Sequence, residues 1–184
     1  MSTRRDIHAS IIERCRQGER SAQRELYELY APAMFNASLR ILQSREEAED
    51  VLQECFVKMF KNLQNFRGDA SFGSWFKRIV VNASINRLKK RKLMTTELDE
   101  VTEWVDDEDE PVKEPEYTIA DVQNAVGALS DGYRAVFTMY MFEDYSHKEI
   151  ADELGVSEST SKSQLNRARK RVKEWLINNG RNGI

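Results

Sequence analysis

The chain has 184 residues, of which 40% are hydrophobic and 32% charged, with eight glycines, three prolines and a net charge of −3. That suffices for one domain or two small ones and suits a soluble helical protein. The densest apolar run, Ile79-Val80-Val81, is too short to cross a bilayer, the first residues lack a signal-peptide core, and Cys15, Cys55, His8 and His147 fall at no metal-ligand spacing. A cytoplasmic protein without metal or cofactor is expected.

Ile7, Ile11, Ile12 and Cys15 form a helical stripe over residues 5–17 that ends at Gly18. A longer helical segment follows, carrying Leu26, Tyr27, Leu29, Tyr30, Met34, Phe35, Leu39 and Leu42. Pro32 is expected to break or bend it, because proline removes a helical donor and clashes with the preceding turn. Ser44 and Glu47 have the spacing of a capping box. In the helix they open, Val51, Cys55, Met59 and Leu63 lie on one seam beside Leu52, Phe56 and Phe60, which predicts a buried thiol at Cys55. The opposite face presents Asp50, Gln53, Glu54 and Lys61, and by itself it reads equally as a solvated surface.

Residues 65–71, with Arg67, Gly68, Asp69, Ala70 and Ser71, form a polar glycine-bearing loop. The helix after it, 72–92, is expected to pack inward through Phe72, Trp75, Phe76, Ile79, Ala83 and Leu88. Trp75 and Phe76 suit either the core or a platform for unpaired bases, and the core reading takes precedence. Ala70 to Thr96 holds seven basic residues and no carboxylate.

The character of the chain then reverses. Between Glu97 and Glu116 eleven carboxylates face Lys113 alone, a local balance of −10, so the remainder of a chain of net charge −3 carries +7. The sequence pI near 5.6 therefore hides two basic regions. With Pro111, Pro115 and little periodicity, 95–117 reads as a flexible acidic linker; Asp106 to Glu110 lack the turn glycine and oxygen spacing of a calcium loop, and Val101, Trp104 and Val105 are its apolar docking candidates. About 23 residues at 3.3 to 3.6 Å each reach roughly 75 to 80 Å, more than two turns of B-DNA at about 34 to 36 Å each.

Beyond the linker, Thr118 with Asp121 starts a helix containing Ile119, Val122, Val126 and Leu129, and Ser130 caps another with Val136, Phe137, Tyr140 and Met141. Ser146 and Glu149 form a capping box opening a short helix that ends at Gly155; His147 lies within the box, where a surface position suffices. Ser157 caps the last helix. Its Leu165, Ala168, Val172 and Leu176 form an inner face, while Lys162, Asn166, Arg169 and Lys173 lie outside. Two helices joined by a glycine turn, the second basic outside, read as a helix-turn-helix. A plain helical hairpin is the alternative, but the six Lys or Arg between Lys162 and Lys173, with no carboxylate, favour a phosphate backbone over mere solvation. The expected fold is all-α: two small helical domains, 1–94 and 118–184, joined by the acidic linker 95–117.

Taken together, these stretches resemble the extracytoplasmic-function (ECF) sigma factors of bacterial RNA polymerase. Glu47-Ala48-Glu49-Asp50-Val51-Leu52-Gln53-Glu54 resembles the family's region 2.2, Phe72 to Lys92 its regions 2.3 and 2.4, and Leu129 to Leu176 its region 4. The resemblance implies that Asp50, Gln53 and Glu54 meet the clamp of core RNA polymerase. It implies that Arg67, Gly68, Asp69, Ala70 and Ser71, with Asn82, Asn86 and Arg87, capture and read the promoter −10 element and assist melting. Lys162, Ser163, Asn166 and Arg167 would read the −35 element. Core RNA polymerase and promoter DNA are the implied partners, an anti-sigma factor is a frequent further one, and membrane insertion is not implied. The linker would thread negative charge through the polymerase. Where the family commonly has Thr-Val-Lys-Ser-Arg-Leu, this chain has Thr160-Ser161-Lys162-Ser163-Gln164-Leu165, so a packing position becomes a serine.

A stand-alone helix-turn-helix regulator would account for the C-terminal half but not for the loop and basic helix at 65–92. An enzyme would need convergent catalytic groups or a phosphate-cradling glycine loop, and the sequence offers neither.

Overall fold

Apolar residues recur at helical spacing along the chain, and the computed structural model, which describes residues 4–94 and 117–179, is helical wherever it is regular. The N-terminal half holds α1 (Arg4–Arg16), α2 (Arg20–Leu42), α3 (Arg45–Asn62) and α4 (Phe72–Met94), with a 3-10 turn at Leu63–Asn65 after α3. The C-terminal half holds α5 (Ile119–Gly127), α6 (Asp131–Met141), α7 (His147–Leu154) and α8 (Glu158–Asn179). The linker residues Val101, Trp104 and Val105 lie outside the described residues.

Local sequence rules set most of the boundaries. Thr118 with Asp121 and Ser146 with Glu149 close full capping boxes, and Gly155 ends α7 at φ +72°, a left-handed conformation that costs glycine nothing. Three expectations need correction. Pro32 does not interrupt α2: it sits inside a continuous helix, and both it and Glu28, whose carbonyl loses its donor, lie on the exposed side of that helix. Ser44 accepts from the Glu47 N–H at 3.3 Å, but Glu47 turns away to pair with Arg91 at 3.1 Å, leaving half a capping box. Ser130 occupies the N-cap position of α6 without a side-chain capping bond.

The N-terminal core is formed by α2 against α3 and α4, with α1 across α2. Val51, Cys55, Met59 and Leu63 are buried as expected, and both cysteines are free buried thiols; burial pushes the Cys55 thiol up to about 11. In α4 the inward face is shifted relative to the expected one. Phe72, Phe76 and Leu88 are buried together with Val80, Val81 and Ile85, whereas Trp75, Ile79 and Ala83 pack at its edge. Small residues explain the shift: Ser84, fully buried, donates to the Val80 carbonyl (2.8 Å) and shares a hydrogen bond with buried Ser38 of α2 (2.9 Å), which lets the two helices close tightly. In the C-terminal half α8 carries α5, α6 and α7 on its apolar side.

The halves are docked, and one cluster of buried side chains runs from Ile11 in α1 to Leu176 in α8. Arg134 of α6, only 4% exposed, anchors the junction. Its guanidinium donates to the Leu129 carbonyl (2.6 Å), pairs with Asp131, and crosses to the Ile41 carbonyl of α2 (3.0 Å). A cation at the end of α2 meets carbonyls that have no intrahelical donor and the negative end of the helix dipole.

Candidate nucleic-acid interface

The last helix is oriented by what it buries. Leu165, Ala168, Val172 and Leu176 face inward, so Lys162, Ser163 and Asn166 are exposed and Arg167 is half-buried on the outward side. Ser157 accepts from the Thr160 N–H at 3.0 Å and fixes the helix start. The serine at the usual apolar position has a partner: Ser161, fully buried, meets His147 Nδ1 at 2.9 Å, and the His147 ring stacks on Tyr140 with centroids 4.6 Å apart. His147 is therefore a link between α7 and α8 rather than a surface residue. Burial, then Lys162 and Arg169 nearby, hold its ring below the ordinary imidazole range.

The loop after α3 is pinned from α1. Arg16 donates to the carbonyls of Phe66 (2.5 Å) and Leu63 (3.2 Å), and Phe66, Phe72 and Trp75 pack ring against ring. Gly68 turns the loop at φ +82°, where a side chain would be strained. Ser71 caps α4, accepting from the Ser74 N–H at 3.2 Å. Beside the loop opens a hollow of about 790 Å³. Arg67, Gly68, Ala70 and Ser71 line it, and on its far wall His8 and Tyr30 share a hydrogen bond of 2.6 Å. Asp69 is exposed away from that lining. His8 and Tyr30 carried no signal in the sequence, because the hollow exists only where α1 and α2 meet the loop.

The remaining residues singled out from the sequence form two separate clusters. Asn82 is engaged by the C-terminal half at both ends of its amide: its Nδ2 donates to Glu153 (2.7 Å), and its Oδ1 accepts from Tyr145 (3.0 Å). Asn86 is exposed. Arg87 reaches across to α3, donating to Glu54 at 3.1 Å and lying 3.9 Å from Asp50. Asp50, Gln53 and Glu54 are all exposed, so α3 offers a carboxylate face whose neighbour on α4 is Arg87. Among the described residues no group of His, Cys, Asp or Glu can hold a metal ion. No described helix is long and apolar enough to cross a membrane.

Glu149 joins local and long-range order. It closes the capping box at Ser146 through the backbone N–H (2.9 Å) and hydroxyl (2.8 Å), and it also accepts from Arg78 of α4 at 2.5 Å. The Ser146 bonds and then Arg78 hold its carboxyl down at about 2.

The family model described as Sigma-70 region 2 matches residues 26–93, and that described as Sigma-70, region 4 matches 119–172. Over 168 residues the chain is 33% identical to the ECF RNA polymerase sigma factor SigM of Mycobacterium tuberculosis, covering 90% of this chain and 83% of that protein. It is 29% identical over 177 residues to the RNA polymerase sigma-H factor of Pseudomonas aeruginosa, covering 90% and 92%. The fold is similar to that of the sigma factor RpoE of Bartonella quintana, solved in complex with the anti-sigma factor NepR, with a TM-score of 0.55 at 21% identity over 84% of this chain and 96% of that one.

Proposed function

Since this chain belongs to the ECF family of RNA polymerase sigma factors, we propose that residues 1–94 bind core RNA polymerase and open the −10 element while residues 118–184 read the −35 element. The observation that carries this reading is the division of surfaces along one chain. An exposed carboxylate face on α3, a loop-bounded hollow beside a basic helix, and a basic helix-turn-helix face occur in the order of the two matched regions.

Asp50, Gln53 and Glu54 serve as the polymerase contact. Carboxylates there suit a basic coiled-coil partner, and their exposure leaves them free to be desolvated on docking. Arg67, Gly68, Ala70 and Ser71 border the pocket that takes an unstacked base, Asp69 stands in the same loop outside its lining, and Asn82, Asn86 and Arg87 lie on the adjoining helix. Holding a base outside the stack offsets unstacking of a few kcal/mol, and no covalent bond changes. Lys162, Ser163, Asn166 and Arg167 enter the major groove, where Arg and Lys donate to guanine and Asn pairs with adenine. The chain acts as an initiation factor and not as an enzyme. An anti-sigma partner fits the same reading, because the similar sigma factor RpoE is held by one.

The test is transcription from a promoter library by core RNA polymerase with and without the chain. Initiation at a shared pair of spaced elements only when the chain is present supports the proposal. Duplex binding without initiation refutes it and favours a stand-alone helix-turn-helix regulator.

A further inference from the structure

One wall of the hollow beside the loop belongs to α1. His8, Ile12, Glu13 and Arg16 recur at helical spacing on the side of that helix that lines the opening. The floor is apolar: Ile12 and Phe72 are buried, and the Phe66 ring meets Phe72 edge-on with centroids 5.5 Å apart. One end is held in place by packing. Tyr30 stands edge-to-face on Phe72 at 5.0 Å, shares a hydrogen bond with His8 at 2.6 Å, and lies over Gly73, where a Cβ would come within 3.2 Å of its ring. An apolar, aromatic floor with a few polar groups around it suits a flat ligand, and about 790 Å³ falls within the roughly 300 to 1,000 Å³ of ligand sites.

The charged groups of the lining are Glu13, Arg16 and Arg67. Arg16 is committed to the loop, where it donates to the carbonyls of Phe66 and Leu63. The other two have fixed and opposite roles, since the Glu13 carboxylate only accepts and the Arg67 guanidinium only donates. Both are exposed. Arg16 and Gln17 touch Glu13 at 3.4 and 3.5 Å, long contacts that leave most of its acceptor capacity open. Arg67 has no hydrogen-bond or ion-pair partner among the described residues.

A carboxylate discriminates among bases. Guanine, cytosine and adenine each carry an exocyclic amino group that donates to it, whereas thymine offers one ring N–H flanked by two carbonyl oxygens that a carboxylate repels. We propose that Glu13 is a specificity-determining residue of the hollow: it accepts from the amino group of the base held there, Arg67 donates to an acceptor of the same base, and thymine is rejected. The inference rests on the reading of the hollow as the pocket for an unstacked base. It adds a base-reading residue outside the stretch matched by the region 2 model, which begins at residue 26.

The test is a pooled promoter library, randomised through the −10 element and barcoded within the transcript, transcribed by core RNA polymerase with the full chain. Wild type is expected to deplete thymine about tenfold at one −10 position. E13Q should remove that depletion and leave the −35 preferences unchanged, because a glutamine amide presents a donor beside an acceptor and pairs with thymine as well as with an amino-bearing base. E13D, shorter but still acceptor-only, should retain the depletion in weaker form. Glu13 is exposed and makes only long contacts, so these substitutions leave the packing of α1 intact. The proposal is overturned if E13Q alters no −10 preference, if it lowers initiation from all sequences alike, as a purely structural role would, or if E13D behaves as E13Q does. R67A separates this failure from that of the pocket itself: a −10 preference changed by R67A but not by E13Q removes Glu13 alone, while no change with either removes the hollow as the base pocket. Absence of initiation by the wild-type chain would instead refute the sigma reading.

Discussion

Replacing Arg134 by methionine tests whether the junction between the halves is held by one buried cation. The guanidinium is 4% exposed and bonds two carbonyls, Leu129 and Ile41, at 2.6 and 3.0 Å, besides Asp131. Methionine keeps the length of the stem and removes all the donors. Each carbonyl left buried without a donor costs about 1 to 3 kcal/mol, while Asp131 retains Arg91 at 2.8 Å. Relief of the guanidinium's own desolvation offsets part of the loss. The net expectation is about 2 to 4 kcal/mol in urea unfolding followed by circular dichroism, with the single transition of the docked chain splitting as the halves melt apart. R134K, which retains the charge but not the fork of donors, should lose an intermediate amount. A loss for R134M below about 1 kcal/mol, with the transition still single, would show that water satisfies both carbonyls and that apolar contacts alone dock the halves.

Lys162→Ala and Arg167→Ala should each weaken binding to a cognate −35 duplex by about 1 to 3 kcal/mol, measured by anisotropy against a scrambled duplex; equal losses on both would make these side chains phosphate anchors rather than base readers. Glu54→Lys should weaken capture of core RNA polymerase in a pull-down while raising non-specific affinity for DNA, since it reverses the α3 charge and leaves Arg87 only its longer pairing with Asp50; unchanged polymerase capture would remove α3 from the contact. The fold holds His147 in its neutral form, its acidity shifted below the ordinary imidazole value of about 6.5. Stability from this group is therefore complete above that value and lost as pH falls through the lower folded value. Melting from pH 7.5 to about 5 should accordingly cost the wild type more than His147→Gln, whose amide meets Ser161 without titrating, and identical slopes would refute the assignment.

The helices themselves were legible in the sequence because their causes are local. Ser146 with Glu149, Thr118 with Asp121, and Gly155 mark their boundaries through bonds spanning three or four residues, and the spacing of Val51, Cys55 and Met59 or of Leu165, Ala168 and Val172 sets the buried face. The same logic put Asp50, Gln53, Glu54, Lys162 and Asn166 on exposed faces.

What the tertiary structure alone decided is which of those faces meet. With 28 Lys and Arg and 31 Asp and Glu in the chain, charge pattern cannot choose that Glu143 pairs with Arg40, that Glu47 deserts its capping box for Arg91, or that Arg87 bridges to Glu54. Those pairs join residues 33 to 103 positions apart. They are fixed by how close packing such as that of Ser38 on Ser84 sets the helices against one another, and no periodicity along the chain encodes that distance.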